Sequence, residues 1–142
     1  MILYLDTSSM LKHYIREPGS DGVAMWIDGA DLVATSRATL AEAAAALSRR
    51  PRGSGLSRSA CHHVLSDLRR DWADYLAVDL DEHRAATLAW RRRLRGHDSV
   101  QLAAALTVAE LAAPETLVFS SFDTELNQAA LAEGLTVLEP LD

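Results

Sequence analysis

MILYLDTSSM, residues 1–10, sets four apolar residues, Ile2 to Leu5, directly against a carboxylate at Asp6. An unbroken apolar run of this length predicts a β-strand buried on both faces, the situation of a strand inside a sheet covered by helices on each side. A core strand that stops on a charge poses a question that the rest of the chain answers.

Downstream, short β-rich runs alternate with amphipathic stretches, a pattern that predicts a parallel sheet flanked by helices. Met10, Leu11, Tyr14 and Ile15 give a first helical face, which Pro18-Gly19 ends; a helix over about 20–28 leads to a strand at 32–34. Thr35 or Ser36 is placed to cap the alanine-rich helix RATLAEAAAALSRR (37–50). After a Pro-Gly loop (51–55), Ser57 opens a helix to about Trp72, and YLAV (75–78) is the third strand. Asp79 or Asp81 begins a helix expected to reach Arg95 and end at Gly96; from Asp98 an apolar helix runs toward Pro114. The fourth strand falls at 117–119, the last helix at 123–133, and the fifth strand at 136–138. The fold class is therefore α/β, three layers in α/β/α order around a mostly parallel five-stranded sheet.

Composition is that of a globular protein: 142 residues, 49% hydrophobic and 24% charged, enough for one domain with a full core. The apolar start is broken at Asp6 and lacks a basic lead-in, so neither a secretory signal nor a membrane span is expected. Cys61 is the single cysteine, which excludes an internal disulfide and a cysteine-rich zinc site and fits a reducing, cytoplasmic setting. Net charge is −6, yet residues 49–95 hold eleven arginines against six acidic residues. One part of the surface is thus suited to phosphates while another gathers carboxylates. Solvated arginine faces in an arginine-biased chain are the competing explanation.

In open parallel sheets, ligands gather at the carboxyl ends of the strands where strand order reverses. Asp6 directly follows the first strand, and Asp123 lies four residues beyond Phe119 at the matching end of the fourth. Glu42 stands about 9 Å into the helix after the second strand, with a side chain leaning back toward the helix start. Asp98 opens its helix on the same side. Each has a plainer reading. Asp98 with Gln101 resembles a capping box, Asp6 and Asp123 resemble N-caps, and Glu42 suits a solvated stripe. Thr7, Ser8 and Ser121 are alternative caps that would leave the aspartates free. If the four carboxylates face one edge, a hard divalent cation is their natural partner, and such an ion activates water toward a phosphodiester.

The stretches YLDTSSMLKHYIREPGS, ATLAEAAAAL, GHDSVQLAAAL and VFSSFDTELNQAALAEGLTVL, taken together and in this order, resemble PIN-domain ribonucleases, most nearly the VapC-type toxins of bacterial toxin–antitoxin pairs. The resemblance implies a single PIN domain over 1–142 and an Mg2+- or Mn2+-dependent endoribonuclease that leaves 5′-phosphates. It puts the metal-binding and catalytic quartet on Asp6, Glu42, Asp98 and Asp123, with Thr7 or Ser121 assisting the metal's water shell. Serine at 121 and histidine at 97 depart from residues common in the family. The resemblance also implies a homodimer silenced by a cognate antitoxin protein. Arg49, Arg50, Arg52, Arg91, Arg92, Arg93 and Arg95 are the candidate RNA phosphate contacts, since the guanidinium fork matches phosphate oxygens. A non-catalytic PIN-like module that binds RNA or protein is the alternative. A phosphoacceptor or phosphatase of similar topology would want a second acidic residue after strand one, where Thr7-Ser8 stand. Cys61-His62-His63 lacks a second cluster to complete a metal site, and Trp26, Trp72 and Trp90 are expected in the core.

Overall fold

The computed structural model describes residues 1–140, so the last two residues of the expected 1–142 domain lie outside the described residues. The strands are β1 (Ile2–Leu5), β2 (Leu32–Ser36), β3 (Leu76–Val78), β4 (Leu117–Ser120) and β5 (Thr136–Val137). The helices are α1 (Thr7–Tyr14), α2 (Ser20–Gly29), α3 (Ala38–Ser48), α4 (Arg58–Asp71), α5 (Glu82–Arg92), α6 (Gly96–Ala112) and α7 (Thr124–Ala132). The sheet runs β3-β2-β1-β4-β5 and every pairing is parallel. The chain builds outward from β1 through β2 to β3, then returns to lay β4 on the other side of β1. The strand order reverses between β1 and β4, and the crevice at their carboxyl ends is where such sheets take ligands.

All four residues of β1 are buried, as its apolar run requires. Ile2 and Tyr4 enter a core shared with Leu88, Leu102, Phe119 and Leu126, from α5, α6, β4 and α7. Leu3 and Leu5 face the other way, onto Met10, Val23, Trp26, Ala43 and Leu68 of α1 to α4. The two-residue side-chain period of a strand thus splits the run between two helical layers. Tyr4 stacks on Phe119 with ring centroids 5.6 Å apart, which ties β1 to β4 beside the crevice.

Several expected boundaries are corrected. Thr35 and Ser36 belong to β2 rather than to a helix cap; the N-cap position of α3 is Arg37, and the Ser36 hydroxyl accepts from the Ala38 N–H. Thr35 instead donates to the Leu5 carbonyl. Helix α5 is capped by Asp81 and ends three residues before Arg95, because Arg93 turns into the left-handed region (φ 56°). Gly96 then opens α6 instead of closing α5, so Asp98 falls inside the first turn of α6 rather than at its cap. Trp26 is buried as expected, whereas Trp90 is almost wholly exposed.

Candidate active site

Three helix N-termini converge on the carboxyl ends of β1 and β4, and each delivers an aspartate. Asp6 is the N-cap of α1, accepting from Ser9 N–H, and Asp123 is the N-cap of α7, accepting from Leu126 N–H. The expectation that Thr7, Ser8 or Ser121 would relieve the aspartates of capping is therefore overturned. Thr7 is already helical, and the Ser8 and Ser121 hydroxyls serve Asp6. Capping and ligand holding are compatible, because the two oxygens of a carboxylate offer about four lone-pair sites and the cap uses one. The partial positive charge of each helix start also favours the anion placed there.

Asp6 is buried and tightly held. Its Oδ1 accepts from the Ser8 hydroxyl at 2.7 Å and from Ser9 N–H at 2.9 Å, and its Oδ2 from the Ser121 hydroxyl at 2.6 Å. Burial pushes its pKa up to about 6, the three hydrogen bonds oppose the rise, and the negative charge of Asp98 adds to it. Ser8 accepts in turn from Phe122 N–H and Ser121 from Asp123 N–H, so the turn after β4 is fastened to the turn after β1.

Glu42 reaches the same place from α3. Its Oε2 accepts from the Thr7 hydroxyl and, at 3.2 Å, from the Gln101 amide. Gln101, expected as the far end of a capping box with Asp98, is instead a buried hub. Its amide nitrogen donates to Thr39, Thr7 and Glu42, while its Oε1 accepts from the Tyr4 hydroxyl at 2.7 Å. Burial, with the charges of Asp6 and Glu42, raises the Tyr4 pKa well above its ordinary value, so the phenol stays a donor. Gln101, Thr39 and Ser8 were missed as site residues in the sequence; a glutamine amid the largely apolar run of α6 is the one signal that could have marked Gln101.

Asp6, Glu42, Asp98 and Asp123 line one open cavity of about 530 Å³, together with Thr7, Ser8, Arg49, Arg95, His97 and Gln101. Among the described residues, no three His, Cys, Asp or Glu side chains close into a metal cage. Arg95 stands between two of the carboxylates, bonded to Asp98 and to Asp123. The donor set nevertheless fits a hard cation. It is all oxygen, it lies in an open cavity that leaves room for water, and its four carboxylates outnumber the two guanidiniums on the lining.

The seven arginines do not form one surface. Arg49 and Arg95 line the cavity. Arg50 lies near Glu17, and Arg52 is exposed in the loop before α4. Arg91 and Arg92 both pair with Glu133 beyond α7, away from the cavity lining, and Arg93 borders a separate shallow depression beside Glu125 and Gln128.

Comparison with known proteins places this geometry. The family model for the PIN domain matches residues 3–132. Ribonuclease VapC45 of Mycobacterium tuberculosis (strain CDC 1551) is 36% identical over 96% of this chain and 94% of its own length. Among solved structures, PAE2754 from Pyrobaculum aerophilum superposes with a TM-score of 0.63 at 18% identity, covering 96% of this chain and 83% of its own. VapBC-5 of Mycobacterium tuberculosis, described as a member of the VapBC family of toxin–antitoxin systems, gives 0.56 at 22% identity, with 99% and 98% covered. These two structures share the fold.

Proposed function

The chain belongs to the PIN-domain family, and from that premise we propose that it is a divalent-metal-dependent endoribonuclease acting as the toxin of a toxin–antitoxin pair. The observation that carries the proposal is the convergence of Asp6, Glu42, Asp98 and Asp123 on one cavity at the point where strand order reverses. A relative named as a ribonuclease, 36% identical along nearly its whole length, supports the same reading.

A bound Mg2+ or Mn2+ would supply an acidified water and neutralise charge on the phosphate. The chain's part is to hold and aim. Asp6, Asp98 and Asp123 would bind the cation from three helix starts, and Glu42, with Oε2 anchored by Thr7 and Gln101, would present Oε1 to the cavity. Hydroxyls of Ser8 and Ser121 stop the Asp6 carboxylate from rotating, which preserves its aim without spending binding energy on reorganisation. Arg49 and Arg95, on the cavity lining, are the arginines placed to meet a phosphate entering it. Arg50, Arg52 and Arg93 would act farther along a strand of RNA, and Arg91 and Arg92 only after letting go of Glu133.

The same reading makes the protein a cytoplasmic homodimer restrained by a cognate antitoxin. The toxin–antitoxin description of VapBC-5 supports the antitoxin, and Trp90, exposed on α5, supports a protein contact there. The test is incubation of the purified protein with a pool of cellular RNAs, in magnesium and in chelator, beside Asp6→Asn and Asp98→Asn. Cleavage by the wild type in magnesium alone is expected. Equal cleavage by wild type and variants, or cleavage that persists in chelator, would sink the proposed site. Metal-independent RNA binding without cleavage would favour a non-catalytic module.

A further inference from the structure

The carboxylate oxygens left free for a ligand at Asp98 and Asp123 are the ones that Arg95 takes. Asp123 spends Oδ1 on the α7 cap, accepting from Leu126 N–H at 3.1 Å. Asp98 turns Oδ1 toward His97 Nε2, 3.4 Å away. The remaining Oδ2 of each accepts from one arm of the same guanidinium: Arg95 Nε donates to Asp98 and Arg95 Nη2 to Asp123, both at 3.1 Å. The guanidinium thus bridges the first turn of α6 and the first turn of α7 across the mouth of the cavity.

The two sides of this bridge differ in freedom. The Arg95 side chain is 66% exposed, whereas that of Asp98 is 10% exposed. Arg95 is the N-cap residue of α6 and its side chain makes no cap hydrogen bond, so its departure costs the two ion pairs but removes no helix cap. Arg91 and Arg92, a turn earlier in the chain, are committed to Glu133 instead.

We propose that Arg95 is a built-in counter-ion of the acidic pocket: it holds Asp98 and Asp123 while the pocket is empty and must be exchanged for the divalent cation. Metal binding and release of the guanidinium toward the rim are then one event. This rests on the reading of the pocket as a cation site. Exposed ion pairs are individually weak, so the competition is modest: loss of Arg95 should tighten metal binding about 3- to 10-fold.

The experiment is Mn2+ titration without RNA, following free Mn2+ by electron paramagnetic resonance, on the wild type, Arg95→Gln, Arg95→Lys and Arg16→Gln. Arg16 pairs with Asp21 outside the cavity and controls for the loss of one positive charge. Expected is tighter binding by Arg95→Gln and an intermediate value for Arg95→Lys, whose ammonium cannot bridge both carboxylates as a fork does. Arg16→Gln should match the wild type. The gap between wild type and Arg95→Gln should narrow in high salt, where the ion pairs are screened. Equal or weaker binding by Arg95→Gln, with a wild type that does bind, overturns the counter-ion role and leaves the cation site standing. Absence of Mn2+ binding in all four proteins overturns both.

Discussion

Asp6 is a buried carboxylate that the metal-free fold tolerates at a cost, and replacing it should expose that cost. Its pKa is raised from 3.8 to about 6. Between these values the folded protein holds a proton that the unfolded chain has released, so stability falls as pH rises through the window and the loss is complete above it. About two pKa units at ~1.4 kcal/mol each put the full loss near 3 kcal/mol. Asp6→Asn cannot ionise and escapes it. Asparagine also keeps an oxygen for the Ser9 N–H and is as good an N-cap as aspartate. Its amide nitrogen would face the Ser121 hydroxyl, which now donates, and that rearrangement costs about 1 kcal/mol at every pH.

The assay is urea unfolding in chelator, followed by circular dichroism. The stability of Asp6→Asn relative to wild type should grow by about 2 kcal/mol from about pH 4.5 to about pH 8, ending with the variant more stable by about 2 kcal/mol. Excess magnesium should rescue the wild type alone: at 100 times the dissociation constant, binding adds about 2.7 kcal/mol, which erases the variant's advantage. A pH-independent difference, or a variant less stable than wild type at high pH, would mean that Asp6 carries no buried-charge cost and is simply a helix cap.

Gln101→Leu leaves the buried Tyr4 hydroxyl without its acceptor and removes one of two donors to Glu42, and should cost about 1–3 kcal/mol in urea melts. If Gln101 also positions Glu42, Mn2+ affinity should drop in the variant while its fold persists; an unchanged affinity would limit Gln101 to a structural role. Ser121→Ala removes the donor to Asp6 Oδ2 and the acceptor for Asp123 N–H, so it should destabilise by about 1–2 kcal/mol. Losing that hydrogen bond should also push the Asp6 pKa further up, which a carboxyl titration by NMR would register as a midpoint above that of the wild type. Arg93→Gly relieves a side chain held at positive φ and should raise stability by up to about 1 kcal/mol in thermal melts; a loss would show that the Arg93 side chain contributes more than its backbone strain costs.

Much of the architecture was legible in the sequence because it rests on local pattern. The apolar runs at 2–5 and 117–119 mark the adjacent strands β1 and β4, and the order of elements follows from the alternation with helices. The carboxylates were traceable because strand ends are local features and the sheet rule converts them into a shared edge. Boundaries moved where a single backbone choice decides them. Arg93 in the left-handed region ends α5 early and shifts Asp98 from a cap into the first turn of α6, which no periodicity reveals. Gln101 and Arg95 were opaque for another reason. Their roles come from contacts with Glu42 and Asp123, on elements remote in sequence, and each had a plausible local reading, as a capping-box partner and as one more basic residue. Asp6 and Asp123 were expected to need relief from capping, when each caps its helix with one oxygen and still lines the cavity.

That the four carboxylates form a divalent-cation site is tested most directly by crystals grown with Mn2+ and an anomalous difference map. A peak is expected in the cavity among Asp6, Asp98 and Asp123, with Glu42 reaching it directly or through water and Arg95 swung away from both aspartates. A map with no peak in the cavity, at Mn2+ concentrations that support RNA cleavage, would contradict it.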